Sequence, residues 1–300
     1  MNLEALLQRL RPARGASPTR QRVLLAVALA AFVSMTTLAI VNFPDDLDPE
    51  PRWWLLGLVG GFGPLVTITL NGLEYVQQGR LVGRRIAVGD AVRVSVLGTA
   101  ANLAPVPGSV IVRTSALAVD EVGVKRAAAT TATVGLGWLG ASALAAGALQ
   151  PFADRVALGG VLIAIGIVFL ALTFVLVRRA APEDGVGAVF GAIVAVELGT
   201  VAIGALRLTG FVYGLGLDIT ASQAVGLTLA GVIASATGVF PAGLGIREAL
   251  IALASPVLDL PVAVGLVAAA ADRIAGLSVL AALTVILVVR RHRSANDQKE

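Results

Sequence analysis

The sequence predicts an all-α polytopic membrane protein: about six full transmembrane helices plus two re-entrant broken hairpins in an inverted repeat. Three observations predict it. Long apolar runs carry almost no charge, the arginines cluster on alternate flanks of those runs, and two Gly/Pro-interrupted stretches match each other in position.

The chain is 57% hydrophobic and 14% charged, whereas soluble domains are about 45–50% apolar and about 25% charged. A helix of about 20 apolar residues crosses the ~30 Å hydrocarbon core. Val23–Val41, Trp53–Asn71, Ala127–Leu149, Val156–Val177, Val186–Leu206 and Val262–Val289 meet or approach that length. The first run is too long for a signal-peptide core, and Asn42-Phe43-Pro44 lacks the small residues of a cleavage site, so it reads as an uncleaved helix. Trp53 and Trp54 read as interfacial anchors. Gly57, Gly60, Gly61 and Gly63 form a small-residue face for helix packing.

The same composition narrows the chemistry. No cysteine is present and His292 is the only histidine, which removes a zinc-type ligand set and the base of a Ser-His-Asp triad. No phosphate-binding P-loop motif occurs. No catalytic residue, cofactor or metal is expected, and the chain does not read as an enzyme. The net charge of +4 does not point to nucleic acid, because the basic residues flank apolar spans, where they set orientation.

Arg9, Arg11, Arg14, Arg20 and Arg22 precede the first span, which places the N-terminus in the cytoplasm. The second span returns to Arg80, Arg84 and Arg85. If the broken stretch Ala91–Val119 dips in and comes back, Lys125 and Arg126 also lie inside. A second broken stretch, Ala221–Ser255, then dips in from the opposite face, and Arg290, Arg291 and Arg293 end in the cytoplasm. Of the 23 Lys and Arg, only Arg52, Arg155 and Arg207 then fall outside, with Arg113, Arg247 and Arg273 at membrane depth. Full crossings in place of either hairpin remain the alternative. The organisation is a basic cytoplasmic segment (1–21), one transmembrane domain (22–289, with repeat-like halves around 86–150 and 220–289) and a basic cytoplasmic tail (290–300), in a cell membrane.

The two broken stretches align at an offset of about 134 residues, Pro107-Gly108-Ser109-Val110-Ile111-Val112-Arg113 against Pro241-Ala242-Gly243-Leu244-Gly245-Ile246-Arg247. Pro105, Pro107, Gly108 and Pro241 are the breaks. Backbone groups freed by such breaks cannot face lipid, so they are packed in protein or line a wet cavity.

The order Asn102-Leu103-Ala104-Pro105, then Pro241-Ala242-Gly243-Leu244-Gly245-Ile246-Arg247-Glu248, then Asp272-Arg273 resembles the transmembrane flippase-like domain of lysylphosphatidylglycerol synthases, which also occurs freestanding. The resemblance runs from about Arg80 to about Val289, and its most specific piece is Pro241, Gly243, Gly245 and Glu248. It implies movement of an aminoacylated or other polar-headed lipid between leaflets. Aminoacyl transfer belongs to a separate cytosolic domain in that family. The residues after Val289 are too few to hold it, so synthase activity is not expected. The first repeat departs from the family pattern: Ser109–Val112 is uncharged, and Val134–Leu139 lacks an acidic-Arg pair.

Ionisable groups within a span cost a few kcal/mol each, so they face partners or a cavity. Arg247 at a helix start beside Gly243 and Gly245 suits a lipid phosphate, and Glu248 suits the helix dipole, a cationic head group or an arginine. Structural ion pairing is the plainer reading of both. Asp272 is expected to meet Arg247 or Arg113, and Arg273 to meet Glu248 or Glu197, closing a network across the two repeats. Glu197 is a candidate proton carrier or a neutral hydrogen-bonding acid. Arg113 serves a gate or snorkels, and Asn102 caps the broken helix or lines the cavity. The expected activity is lipid translocation, with membrane lipids as partners. A scaffold for a lipid-modifying enzyme is the alternative, and an intramembrane lipid-acting enzyme a more distant one.

Overall fold

Each predicted apolar run is one continuous helix in the computed structural model, which describes residues 18–41, 50–103, 108–118, 122–181, 185–237 and 245–297. The described residues form ten α-helices and no strand. They are α1 (Pro18–Val41), α2 (Trp53–Leu81), α3 (Val88–Ala101), α4 (Gly108–Leu117), α5 (Val124–Leu149), α6 (Val156–Ala180), α7 (Val186–Gly214), α8 (Ala221–Thr237), α9 (Ile246–Val257) and α10 (Val262–Asp297). A 3-10 turn, Gln150–Ala153, joins α5 to α6. Five helices, α2, α5, α6, α7 and α10 as far as Leu287, are long and apolar enough to cross a membrane. The protein is therefore an all-α polytopic membrane protein. The predicted first span is the 24-residue α1, which packs on α10. The helix α10 continues past Val289 into the basic tail, as far as Asp297.

The two broken stretches are helical hairpins. At 14 and 10 residues, α3 and α4 reach only about 21 and 15 Å at 1.5 Å per residue, short of the ~30 Å core. They fold back on each other: a Cβ on Gly98 in α3 would lie 3.4 Å from the Ser109 Cα in α4. The second pair, α8 and α9, is likewise antiparallel. Gly231 lies against Arg247, and near the other end Gly226 lies against Leu258, whose carbonyl accepts the Gln223 amide at 2.9 Å.

Two buried clusters fix how the hairpins sit. Tyr75 and Val82 from the end of α2, Ala91 and Val94 from the start of α3, Ala116 and Leu117 from the end of α4, and Ala127 from the start of α5 share one apolar core. Ala143 and Ala146 near the end of α5, Val212 from the end of α7, Ala224 in α8, Leu258 and Val264 share another. Helix α5 therefore runs from the open end of the first hairpin to the open end of the second. The hairpins enter the bundle from opposite ends, the relation expected of an inverted repeat.

The repeat extends beyond the hairpins. Helices α2 and α7 are both 29 residues long. Each is followed after six residues by the first helix of its hairpin. The two copies pack antiparallel: Arg52 N–H donates to the Gly214 carbonyl at 2.7 Å, a Cβ on Gly210 would overlap Val59, and one on Gly199 would meet Leu70.

Small residues bring other helices together, as is usual where lipid removes the hydrophobic drive between them. Side chains on Gly140 and Gly147 of α5 would strike the backbone of α6 at Leu170 and Ile163. The predicted glycine face of α2 is half used: Gly60 and Gly63 meet Ala275 and Arg207, while Gly57 and Gly61 face open space. Trp53 and Trp54 are exposed, as anchors would be.

Candidate functional site

Among the described residues, four arginines and four acids lie in the interior of the bundle, and they form two clusters rather than the single expected network. The larger sits where α9 begins. Gly245 caps α9 with φ of 83°, a left-handed conformation that costs any residue with a Cβ roughly 1–2 kcal/mol. Its N–H donates to Glu248 Oε2 at 2.7 Å. The other oxygen, Oε1, lies 3.1 Å from Arg273 Nε on α10. Glu248 is 1% exposed, so it acts as cap acceptor and buried counter-ion at once.

Beside it, Asp272 bridges two arginines. Its Oδ2 accepts from Arg247 Nη2 at 2.7 Å, and its Oδ1 lies 2.6 Å from Arg207 Nη2. Arg207 also donates to Thr67 Oγ1 on α2 at 2.9 Å, lying along the bare face of Gly63. The expected pairs Asp272–Arg247 and Arg273–Glu248 are both present. Five charged groups, three arginines and two acids, leave one positive charge in excess. Among the described residues, Nε of Arg207 and Nε of Arg247 are buried donors with no acceptor.

The smaller cluster belongs to the first hairpin. Arg113 of α4 pairs with Glu74 of α2 at 2.6 Å and donates to the Asn71 carbonyl at 3.4 Å. Gln78 Nε2 donates to Glu74 Oε1 at 3.2 Å. Glu197 on α7 is 2% exposed and reaches the depth of Glu74, because α2 and α7 run antiparallel with Val59 against Gly210 and Leu70 against Gly199. Its Oε1 has no hydrogen-bond partner among the described residues. Of the two partners expected for each, Asp272 therefore takes Arg247 rather than Arg113, and Arg273 takes Glu248 rather than Glu197. This cluster carries one arginine and two acids, an excess of one negative charge.

Asn102 takes the capping alternative: its Oδ1 accepts from Ser109 N–H at 2.6 Å, tying the end of α3 to the start of α4. Gly108 is needed there, because a Cβ would collide with the Ala101 carbonyl. Pro105, Pro107, Pro241 and Gly243 lie outside the described residues.

Sequence reasoning missed Glu74 and Arg207. The apolar runs stop at Asn71 and Leu206, so Glu74 lies beyond its run and drew no reading, and Arg207 read as an external residue. Both lie inside helices that continue to Leu81 and Gly214, and both stand seven residues before the end of their helix. Helix length would have found them: an offset of 133 aligns α2 with α7 and sets Glu74 on Arg207. The repeat thus places opposite charges at one structural position.

No family model matches the chain, and no curated protein does. What the fold and the charged clusters define is a class: an all-α membrane protein with two opposed helical hairpins, each presenting an arginine to an acid on a long neighbouring helix.

Proposed function

We propose that the protein is a lipid translocase, a flippase-like carrier that moves a phosphate-bearing lipid between the leaflets of a cell membrane. The observation that carries this reading is the positive cluster at the start of α9. There Arg207, Arg247 and Arg273 outnumber Asp272 and Glu248, and the Nε donors of Arg207 and Arg247 lack acceptors among the described residues. A surplus cation with open donors in low dielectric favours an anion, and the planar guanidinium fork suits phosphate oxygens. Gly245 lets the backbone turn tightly beside this charge, and the helix start adds its own positive end.

Two opposed hairpins support alternating access, since rocking one repeat against the other exposes a central site to each leaflet in turn. The resemblance to the flippase-like domain of lysylphosphatidylglycerol synthases, carried by Asn102–Pro105, Pro241–Glu248 and Asp272-Arg273, includes Arg247, Glu248, Asp272 and Arg273 of this cluster. The arginine distribution supports cytoplasmic termini.

The test is leaflet translocation in proteoliposomes with fluorescent anionic, zwitterionic and aminoacylated phospholipids. Wild type is compared with Arg247→Gln, after both pass a thermal-stability check. Head-group-selective movement in wild type, reduced at least about tenfold in the variant by loss of one charge-assisted contact, is the expected result. Full activity in a folded Arg247→Gln would remove the site. No movement of any lipid by folded wild type under imposed ion gradients would replace the reading with a scaffold, in which the charges only hold the bundle together.

A further inference from the structure

We propose that Glu197, with Glu74 and Arg113, forms a proton-binding site whose occupancy is coupled to the anion site beside it. The coupling half rests on the translocase reading; the proton-binding half stands without it.

The cluster holds two carboxylates against one guanidinium. Arg113 commits a nitrogen to Glu74 at 2.6 Å and another to the Asn71 carbonyl, while Oε1 of Glu197 has no hydrogen-bond partner among the described residues. The antiparallel register of α2 and α7, set by Val59 with Gly210 and Leu70 with Gly199, brings Glu197 to the depth of Glu74. No element packed on α7 brings a free balancing charge to this depth among the described residues. Helix α8 has no ionisable residue, α5 has only Lys125 and Arg126 at its start, and α6 has only Arg178 and Arg179 at its end. On α2 the depth is occupied by Glu74 itself. The nearest charges of α10, Asp272 and Arg273, are engaged with Arg207, Arg247 and Glu248. An unbalanced negative charge at this depth is costly.

A proton relieves it, and a metal ion does not fit. The guanidinium of Arg113 repels a metal cation from the two carboxylates, whereas a proton adds to one carboxylate oxygen and converts it to a neutral acid. The proton comes from water at one face of the membrane and leaves to water at the other, so nothing else is consumed.

The neighbouring cluster supplies the coupling. Arg113 contacts Asn71 and Arg207 contacts Thr67, one helical turn apart on α2, about 6 Å of rise. A lipid phosphate entering the positive cluster adds a negative charge close to the carboxylates, which strengthens their hold on a proton. By linkage, proton binding strengthens phosphate binding by the same factor. Phosphate and proton then enter together, and the pair adds no net charge.

Two measurements test this on the full chain. The first is infrared difference spectroscopy of the detergent-purified protein between alkaline and acid buffers. Wild type should gain a protonated-carboxyl C=O band on acidification. Glu197→Gln should lose it and Glu197→Asp should keep a shifted one, all three remaining monodisperse on gel filtration. A band unchanged in Glu197→Gln overturns the proton site. The second measurement uses phosphatidylcholine vesicles with fluorescent phosphatidylglycerol. Wild type should accelerate under an imposed proton gradient, and Glu197→Gln should exchange lipid downhill without responding to it. A wild type indifferent to the gradient, or a variant that responds as wild type does, overturns the coupling. Absence of lipid movement in wild type under every gradient defeats the translocase reading and the coupling with it, and the infrared band alone then decides the proton site.

Discussion

Asp272 is the residue on which most depends, because one carboxylate holds Arg207 and Arg247 apart and in place. Replacing a buried ion pair by a well-packed apolar group is often neutral, but removing one partner leaves a buried charge unbalanced, at a cost of about 3–5 kcal/mol. Asp272→Asn strands two cations, so it should cost that much or more, read as a large fall in the thermal midpoint of the detergent-purified protein. Adding Arg207→Met to it should recover part of the loss; no recovery would mean that the two arginines do not compete for the carboxylate. Glu248 is separable into its two roles. Glu248→Gln keeps an amide oxygen for the Gly245 N–H but withdraws the counter-ion of Arg273. At this scale the sequence was partly legible. Arg247, Glu248, Asp272 and Arg273 stand out because charge inside an apolar run needs a partner. Glu74 and Arg207 do not, because they lie just beyond the runs, where hydropathy ends although the helix does not.

The elements were more legible than their ends. All six long helices lie where apolar length placed them, since the ~30 Å core sets a minimum that few other structures need. The hairpins could be expected from Pro and Gly interrupting runs too long for a loop and too broken for a span. Their internal geometry could not, because it depends on contacts between α3 and α4 that have no periodic signature. Gly108 and Gly245 carry that geometry, one by closeness and one by dihedral angle. Gly245→Ala should destabilise by about 1–2 kcal/mol through its positive φ. Gly108→Ala should cost more, because the added Cβ meets the Ala101 carbonyl and backbone cannot yield as a flexible side chain does. Thermal unfolding of the two variants orders them, and the reverse order would mean that the first hairpin opens easily.

For the whole molecule, orientation is the property most open to direct test, since the chain has no native cysteine to remove. Asp120→Cys should react with an impermeant maleimide only from the cytoplasmic face, and Asp259→Cys, whose parent side chain is 83% exposed, only from the other. Labelling of both from one face would replace one hairpin by a full crossing. The duplication was legible as two matching breaks, but its true extent was not. Equal lengths of α2 and α7 reveal it, while their sequences have diverged enough to put Glu74 where the other copy has Arg207. That exchange of sign has an electrical consequence. The two interior clusters, one short of a positive charge and the other carrying one too many, sum to zero. A membrane voltage does about 2.3 kcal/mol of work per 100 mV on each unit charge carried fully across. With Glu197 ionised it finds no net charge to pull on among these eight groups, and with a proton on Glu197 it finds one, so under the proposed translocase cycle voltage acts on the empty carrier only through that proton.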